Sequence, residues 1–375
     1  MTAEHGEELK RIVIHRISLP LKHPFRTSFG VEDTKHTYIV EVETRSGEVG
    51  YGECVAGAFP GYSYETIDVD LQILDKYIIP SMEPDTTDPA KFVKSVDWIN
   101  GYNMAKASIE MALWDLNARL AGEPLYKFIG GVRTKVSAGV SMGIQKNINT
   151  LLKRIEKFLE RGYQRIKVKI KRGLEHDILE SVRREYPDIK LSADANGDYL
   201  KEDIPRLLEL DRYQLMYLEQ PFPYWSITTH AELAEKMETK ICLDETIINR
   251  YTASEAIKIG AAEIINIKPG RVGGFSESIA IHNISERHDV PVWIGGMLET
   301  GVGRGFNVSI ATLPNVRLPS DISASDRYFK RDVVTEPWSI DNSGWIHVRN
   351  KPGIGVEIDW PYLEKIRLWR KVYSL

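Results

Sequence analysis

Residues 165–171, RIKVKIK, open the stretch that decides the fold, and KLSADANGD (190–198), LMYLEQP (215–221), KICLDET (240–246) and EIINIKPG (263–270) repeat its form. Each is a short apolar run closing on a charged residue: Lys169, Asp194, Glu219, Asp244 and Lys268, at intervals of 25, 25, 25 and 24 positions. That interval holds one strand and one helix. Extending the rhythm outward adds VSAGVSMGI (136–144) before it, PVWIGGM (291–297) after it and a last run near RLPSDIS (317–323), which makes eight strands with helices between them, the first helix predicted over about 148–160. Eight parallel strands imply closure into an α/β barrel. A doubly wound sheet would show a Gly-rich first turn, and none is present.

The first third of the chain follows another pattern. IVIHRISLPL (12–21) and HTYIVEVETRSGEVGYGECV (36–55) read as strands with a hairpin turn at Ser46-Gly47, and AKASIEMALWDLNARLAG (105–122) reads as a helix stopped at Gly122 with Pro124 beyond. This is a separate α+β unit. After Tyr328 the pattern turns irregular, so the tail is expected to return to the N-terminal unit.

Composition narrows the function classes. The chain has 375 residues, 42% hydrophobic and 27% charged, and a net charge of −4, which gives no general basic surface for nucleic acid. No stretch reads as a signal peptide or membrane span, so a cytoplasmic location is expected. Cys54 and Cys242 form no CxxC pattern and are expected to be buried, unpaired side chains.

Strand ends in a parallel barrel share one mouth, so Asp194, Glu219 and Asp244 converge there, and three hard oxygen donors suit Mg²⁺ or a similar divalent ion such as Mn²⁺. A single such acid would be read as a rim salt bridge; three in register reverse that reading. Glu245 is expected on the opposite face of its strand from Asp244, in a supporting role, and Asn196 shares a face with Asp194. Lys167 and Lys169 face the same side of a strand, inward, where barrels hold bulky apolar groups. Lys167 is expected to lower the pKa of Lys169 and so favour a general base there. Lys268, four strands further round, is expected across the cavity from Lys169, so that two bases bracket one carbon. Neutralisation of the acids is the competing reading and accounts for Lys167, but it does not require opposed placement. Lys171 is expected beyond the strand, in solvent. Arg271 either lowers the pKa of Lys268 or caps a loop. Together these groups fit abstraction of a proton α to a carboxylate, where a divalent cation stabilises the developing enediolate.

The chain resembles the enolase superfamily, muconate-lactonizing-enzyme subgroup, and within it the o-succinylbenzoate synthase / N-succinylamino acid racemase family. The likeness runs through HPFRTSFG (23–30), GYGECVAGAFPGYSYET (50–66), KVKIK, DAN, EQP, LDET, NIKPGRVGG (266–274), GGMLETGVGR (295–304) and PSDISASDRY (319–328). It implies an α+β cap over residues 1–134, a (β/α)7β barrel over 135–329 and a C-terminal segment, 330–375, packing on the cap. It implies Mg²⁺ on Asp194, Glu219 and Asp244, with Lys169 and Lys268 as acid and base. Synthase members dehydrate a cyclohexadiene carboxylate to o-succinylbenzoate on the route to menaquinone; racemase members invert N-succinylamino acids. The loops Phe25–Phe29 and Ala56–Tyr62 resemble those that close over substrate, with Phe25 and Tyr62 among its expected contacts. Ser141, Gly295, Gly296 and Met297 lie where a succinyl arm would be expected, the glycine amides receiving its carboxylate. The expected partners are a small carboxylate substrate and further copies of the chain.

Relatives with other reactions leave signatures to compare. A mandelate-racemase-like enzyme would carry a histidine near the seventh strand, and PVWIGGM has none. A dipeptide epimerase would show Asp-x-Asp at the eighth, where this chain has Asp321-Ile322-Ser323. A muconate cycloisomerase shares the lysines and acids. A non-catalytic barrel scaffold would be expected to lose at least one of these groups, and all are present.

Overall fold

A computed structural model describes residues 7–27 and 30–375. Strands β1 (Leu9–Arg26), β2 (Val31–Thr44) and β3 (Val49–Cys54) are followed by a long helix, Asn103–Leu120. Gly50 and Gly52 let that helix lie flat on β3: a Cβ at either would come within 2.2 Å of Ala112 O or 2.0 Å of Ser108 O. The turn between β2 and β3 contains Gly47 at φ +97°, as the hairpin reading requires.

The barrel follows. Strand β4 (Lys135–Ser137) leads into β5 (Gly139–Met142), β6 (Arg165–Lys169), β7 (Leu191–Asp194), β8 (Leu218–Glu219), β9 (Ile241–Leu243), β10 (Ile264–Ile267) and β11 (Val292–Ile294). The strands β5 to β11 form one parallel sheet in sequence order. The expected first run therefore divides at Ala138: β4 pairs antiparallel with β12 (Trp345–His347), and only β5 joins the barrel. The helix after β5 spans Ile148–Glu160, with Asn147 accepting from Thr150 N at its start and Leu151, Ile155 and Phe158 buried along one face.

The eighth run is not a regular strand, because Pro319 removes a ladder donor in its middle. It closes the ring through isolated pairings, Val292 with Val316 and Ala138 with Ser320, supported by Asp321 N to Ile294 O (2.8 Å) and Gly139 N to Ser320 O (2.7 Å). The last strand, β13 (Arg367–Ser374), extends the N-terminal sheet into the order β13-β1-β2-β3. The tail thus pairs twice, β12 with β4 at the entry to the barrel and β13 with β1 of the cap.

Two buried carboxylates dock the cap on the barrel by capping barrel helices. Glu53 of β3 accepts from Thr300 N and Gly303 N, and Glu110 of the long helix accepts from Phe275 N (2.7 Å) and Ser276 N (2.9 Å). Unbonded donors at a helix start, and the positive end of its dipole, favour such an acid. Both cysteines are free and buried. Among the described residues, no helix is long and apolar enough to cross a membrane.

Candidate active site

Cap and barrel meet over a cleft of about 120 Å³, open to solvent, whose wall includes Phe25 and Tyr62 from the cap and Lys169, Asp194, Asn196 and Lys268 from the barrel. The period-two alternation of β6 turns Lys167 and Lys169 to the same side, as expected. Lys169 Nζ donates to Asp194 Oδ2 (2.6 Å) and Asn196 Oδ1 (2.5 Å). Lys268 directly follows β10, four strands away, and donates to Asp244 Oδ2 (2.8 Å). The two amines therefore enter one cleft from well-separated arcs of the ring, with the acids between. Lys171 is exposed.

Lys167 follows the competing reading, neutralisation of the acids, and not that of a cation acidifying Lys169. Its amine lies 2.6 Å from Glu219 Oε2, 2.8 Å from Asp321 Oδ2 and 3.3 Å from Asp194 Oδ2. Burial alone would pull its pKa down, but the charges of Asp321, Glu219 and Asp194 outweigh burial and hold it well above the usual lysine value. Its charge is taken up by carboxylates and does not stand free beside Lys169. For Lys268 too, burial is outweighed by Asp244, and its pKa is raised; Arg271 acts weakly the other way. Arg271 holds the loop through Nε to Ile247 O (2.8 Å) and also pairs with Asp244 through Nη1, while its opposing charge leaves the pKa of Lys268 raised.

The acids divide by their partners. Asp244 is buried, yet Lys268 and Arg271 hold its carboxyl below the usual range. Burial and the neighbouring Asp194 push Glu219 up to about 8. Glu245 departs from the expected opposite face, because β9 ends at Leu243 and strand alternation no longer applies at that position. Its carboxylate accepts from Asn196 Nδ2 (2.7 Å), within the same polar cluster. Among the described residues no group of three acidic, cysteine or histidine side chains converges closely enough to hold a metal, since lysines and Arg271 lie against the acids.

The proposed substrate contacts are mixed. Ser141, Gly296 and Met297 line the cleft. Gly295 N donates to Ile267 O (2.9 Å) as part of barrel pairing, so that amide is not free to receive a carboxylate. The glycine is needed for space: a Cβ would stand 2.2 Å from Asn266 Oδ1 and 2.7 Å from Lys268 Cε. Phe29 lies outside the described residues.

Three contributors escaped the sequence reading. Asn266 donates to Glu219 Oε1 (2.8 Å), Gln220 Oε1 accepts from Asp244 N (3.0 Å), and Asp321 links Lys167 to the buried Arg165. Asn266 stands two residues before Lys268, so the alternation used for Lys167 would have found it.

Two domain signatures match the chain: the mandelate racemase / muconate lactonizing enzyme N-terminal domain over residues 11–130, and the enolase C-terminal domain-like family over residues 150–362. An o-succinylbenzoate synthase from Geobacillus kaustophilus is 42% identical over 366 residues, 97% of each chain. The chain belongs to the o-succinylbenzoate synthase / N-succinylamino acid racemase family of the enolase superfamily. An N-succinylamino acid racemase from Thermus thermophilus is 40% identical across 96% of this chain and 97% of its own. The crystal structure of an enolase superfamily member from Listeria innocua superposes with a TM-score of 0.93 at 36% identity, covering 98% of this chain and 99% of that one. These relatives make it an enzyme whose fold is a capped TIM-like barrel.

Proposed function

We propose that this enzyme removes a proton α to a substrate carboxylate, acting as an o-succinylbenzoate synthase, an N-succinylamino acid racemase, or both. The observation that carries this is the pair of amines, Lys169 and Lys268, entering one cleft from strands four apart with Asp194, Glu219 and Asp244 between them. Members of the superfamily generally bind Mg²⁺. The donor set fits it in kind, three buried carboxylates on adjacent strands, with Lys167, Lys169, Lys268 and Arg271 balancing their charge in this structure. Bound there by Asp194, Glu219 and Asp244, the ion would supply positive charge where the substrate carboxylate becomes an enediolate.

The chain's own groups do the rest. In dehydration, Lys169 takes the α-proton and returns it to the departing hydroxyl, while Lys268 stays protonated and stabilises the anion. In racemisation the two lysines exchange protons with opposite faces of the same carbon. Lys167 and Asn266 hold Glu219, and Asn196 holds Lys169. Phe25 and Tyr62 close the mouth from the cap and limit water. Ser141, Gly296 and Met297 lie on the wall for the succinyl arm. Asp321 is bound to Arg165 and Lys167, which leaves it no spare charge for a substrate ammonium and argues against a dipeptide epimerase.

The test is a parallel assay of the cyclohexadiene carboxylate and of N-succinylamino acids, with Mg²⁺ and after chelation. Turnover of at least one, lost on chelation and restored by Mg²⁺, is expected. No turnover of either, or full turnover after exhaustive chelation, overturns the reading.

A further inference from the structure

Tyr62 reaches from the cap into the lysine and carboxylate set. Its hydroxyl donates to Asp244 Oδ1 (2.9 Å) and accepts from Lys268 Nζ (3.1 Å) and Arg271 Nη1 (3.2 Å). One proton and two lone pairs match these three partners, so the hydroxyl has a defined orientation. The ring also lies under the same amine, with Lys268 Nζ 4.4 Å from its centroid, a favourable place for a cation. Among the described residues nothing of this kind is built at Lys169, whose partners there are the barrel residues Asp194 and Asn196. Tyr62 is itself well anchored. Three residues on, Glu65 is buried and accepts from Met104 N (2.7 Å) at the start of the long cap helix, and Asn103 there donates to Ile248 O (2.9 Å) and Arg271 O (3.2 Å).

Resting on the two-base reading above, we propose that Tyr62 is a positioning residue for Lys268: seating of the cap aims that amine at the reacting carbon, while the described partners of Lys169 belong to the barrel. Without the hydroxyl, Lys268 keeps Asp244 as its hydrogen-bond partner and is drawn toward the acid. The two faces of the substrate would then lose efficiency unequally, because only one depends on the cap.

The experiment uses the full-length Mg²⁺-loaded enzyme and Tyr62→Phe, which keeps the ring. Each enantiomer of one N-succinylamino acid is placed in D₂O, and exchange of its α-proton before inversion is followed by NMR. Lys169→Ala assigns the faces, since it should retain exchange only for the enantiomer facing Lys268. If the wild type exchanges neither enantiomer, the two-base reading fails and takes this proposal with it; if it exchanges both, the variant tests Tyr62 alone. A hydrogen bond to a charged group at its weak end corresponds to roughly a tenfold slowing at the Lys268 face, with the Lys169 face nearly unchanged. In a Lys268→Ala background, Tyr62→Phe should cost nothing further at the Lys169 face. Equal slowing at both faces, a higher KM with unchanged kcat, or a loss abolished by raising Mg²⁺ would each overturn the proposal, the last by assigning the effect to Asp244.

Discussion

Acidification should weaken this protein through one buried histidine behind the site. His230 is fully buried, its Nδ1 donating to Ser226 O (2.9 Å) and its Nε2 accepting from Phe222 N (3.2 Å). It packs behind Gln220, whose Oε1 holds the backbone of Asp244 and Thr246. Burial lowers its pKa from 6.5 to about 4, because a proton on Nε2 would set N–H against N–H in a dry pocket. The sign follows from which state binds the proton. Above pH 6.5 neither state does, and the stabilisation is complete; as pH falls below 6.5 the unfolded chain protonates while the native one resists until about pH 4. Integrated over that window the loss is about 3 kcal/mol at pH 4, about half of it by pH 5.5. The buried carboxyls of Glu65 and Asp70, raised to about 7 and about 9, bind protons more tightly in the native state and work in the opposite direction. The measurement is therefore a difference: urea unfolding of wild type and His230→Gln at half-unit steps from pH 7.5 to 4. The wild-type advantage should shrink by about 3 kcal/mol across the range. A difference independent of pH would refute the neutral, buried histidine and its role behind Asp244.

Two further outcomes follow from the same geometry. Lys268→Arg keeps a positive charge beside Asp244 but is too basic to cycle a proton, so racemisation of N-succinylamino acids should stop while part of any dehydration activity survives; assays of both substrates separate these, and retained inversion would contradict the two-base scheme. Glu110→Ala strips the cap from two barrel-helix amides, the Ser276 hydroxyl and Trp114 Nε1, so stability should fall by about 3 kcal/mol, read as a lower urea midpoint at unchanged slope; a loss under about 1 kcal/mol would show that the cap docks by other means.

Much of this architecture was legible from spacing. The 25-residue period placed Lys169, Asp194, Glu219, Asp244 and Lys268 at or just beyond strand ends because a parallel barrel repeats one covalent unit, and the helix over 148–160 followed from its place between two such strands. What escaped depended on contacts between distant segments. The last strand is broken by Pro319 and closes through single bridges, and Glu245 escapes strand alternation because β9 stops one residue before Asp244. Lys167 looked like a neighbour that would acidify Lys169, since alternation shows which side a residue faces and not which carboxylates wait there. Asp321 supplies one of them from the far end of the barrel sequence. Tyr62 could be assigned to a mouth loop, but its hydroxyl's three partners lie some 180 to 210 positions away.

The most direct test of the central claim, that opposed amines work on one carbon, is deuterium exchange by Lys169→Ala with its metal content checked by calorimetry. The account predicts unchanged Mg²⁺ stoichiometry, loss of dehydration and inversion, and exchange surviving only for the enantiomer that faces Lys268. Undiminished turnover in that variant, or exchange of both enantiomers at the wild-type rate, would contradict it.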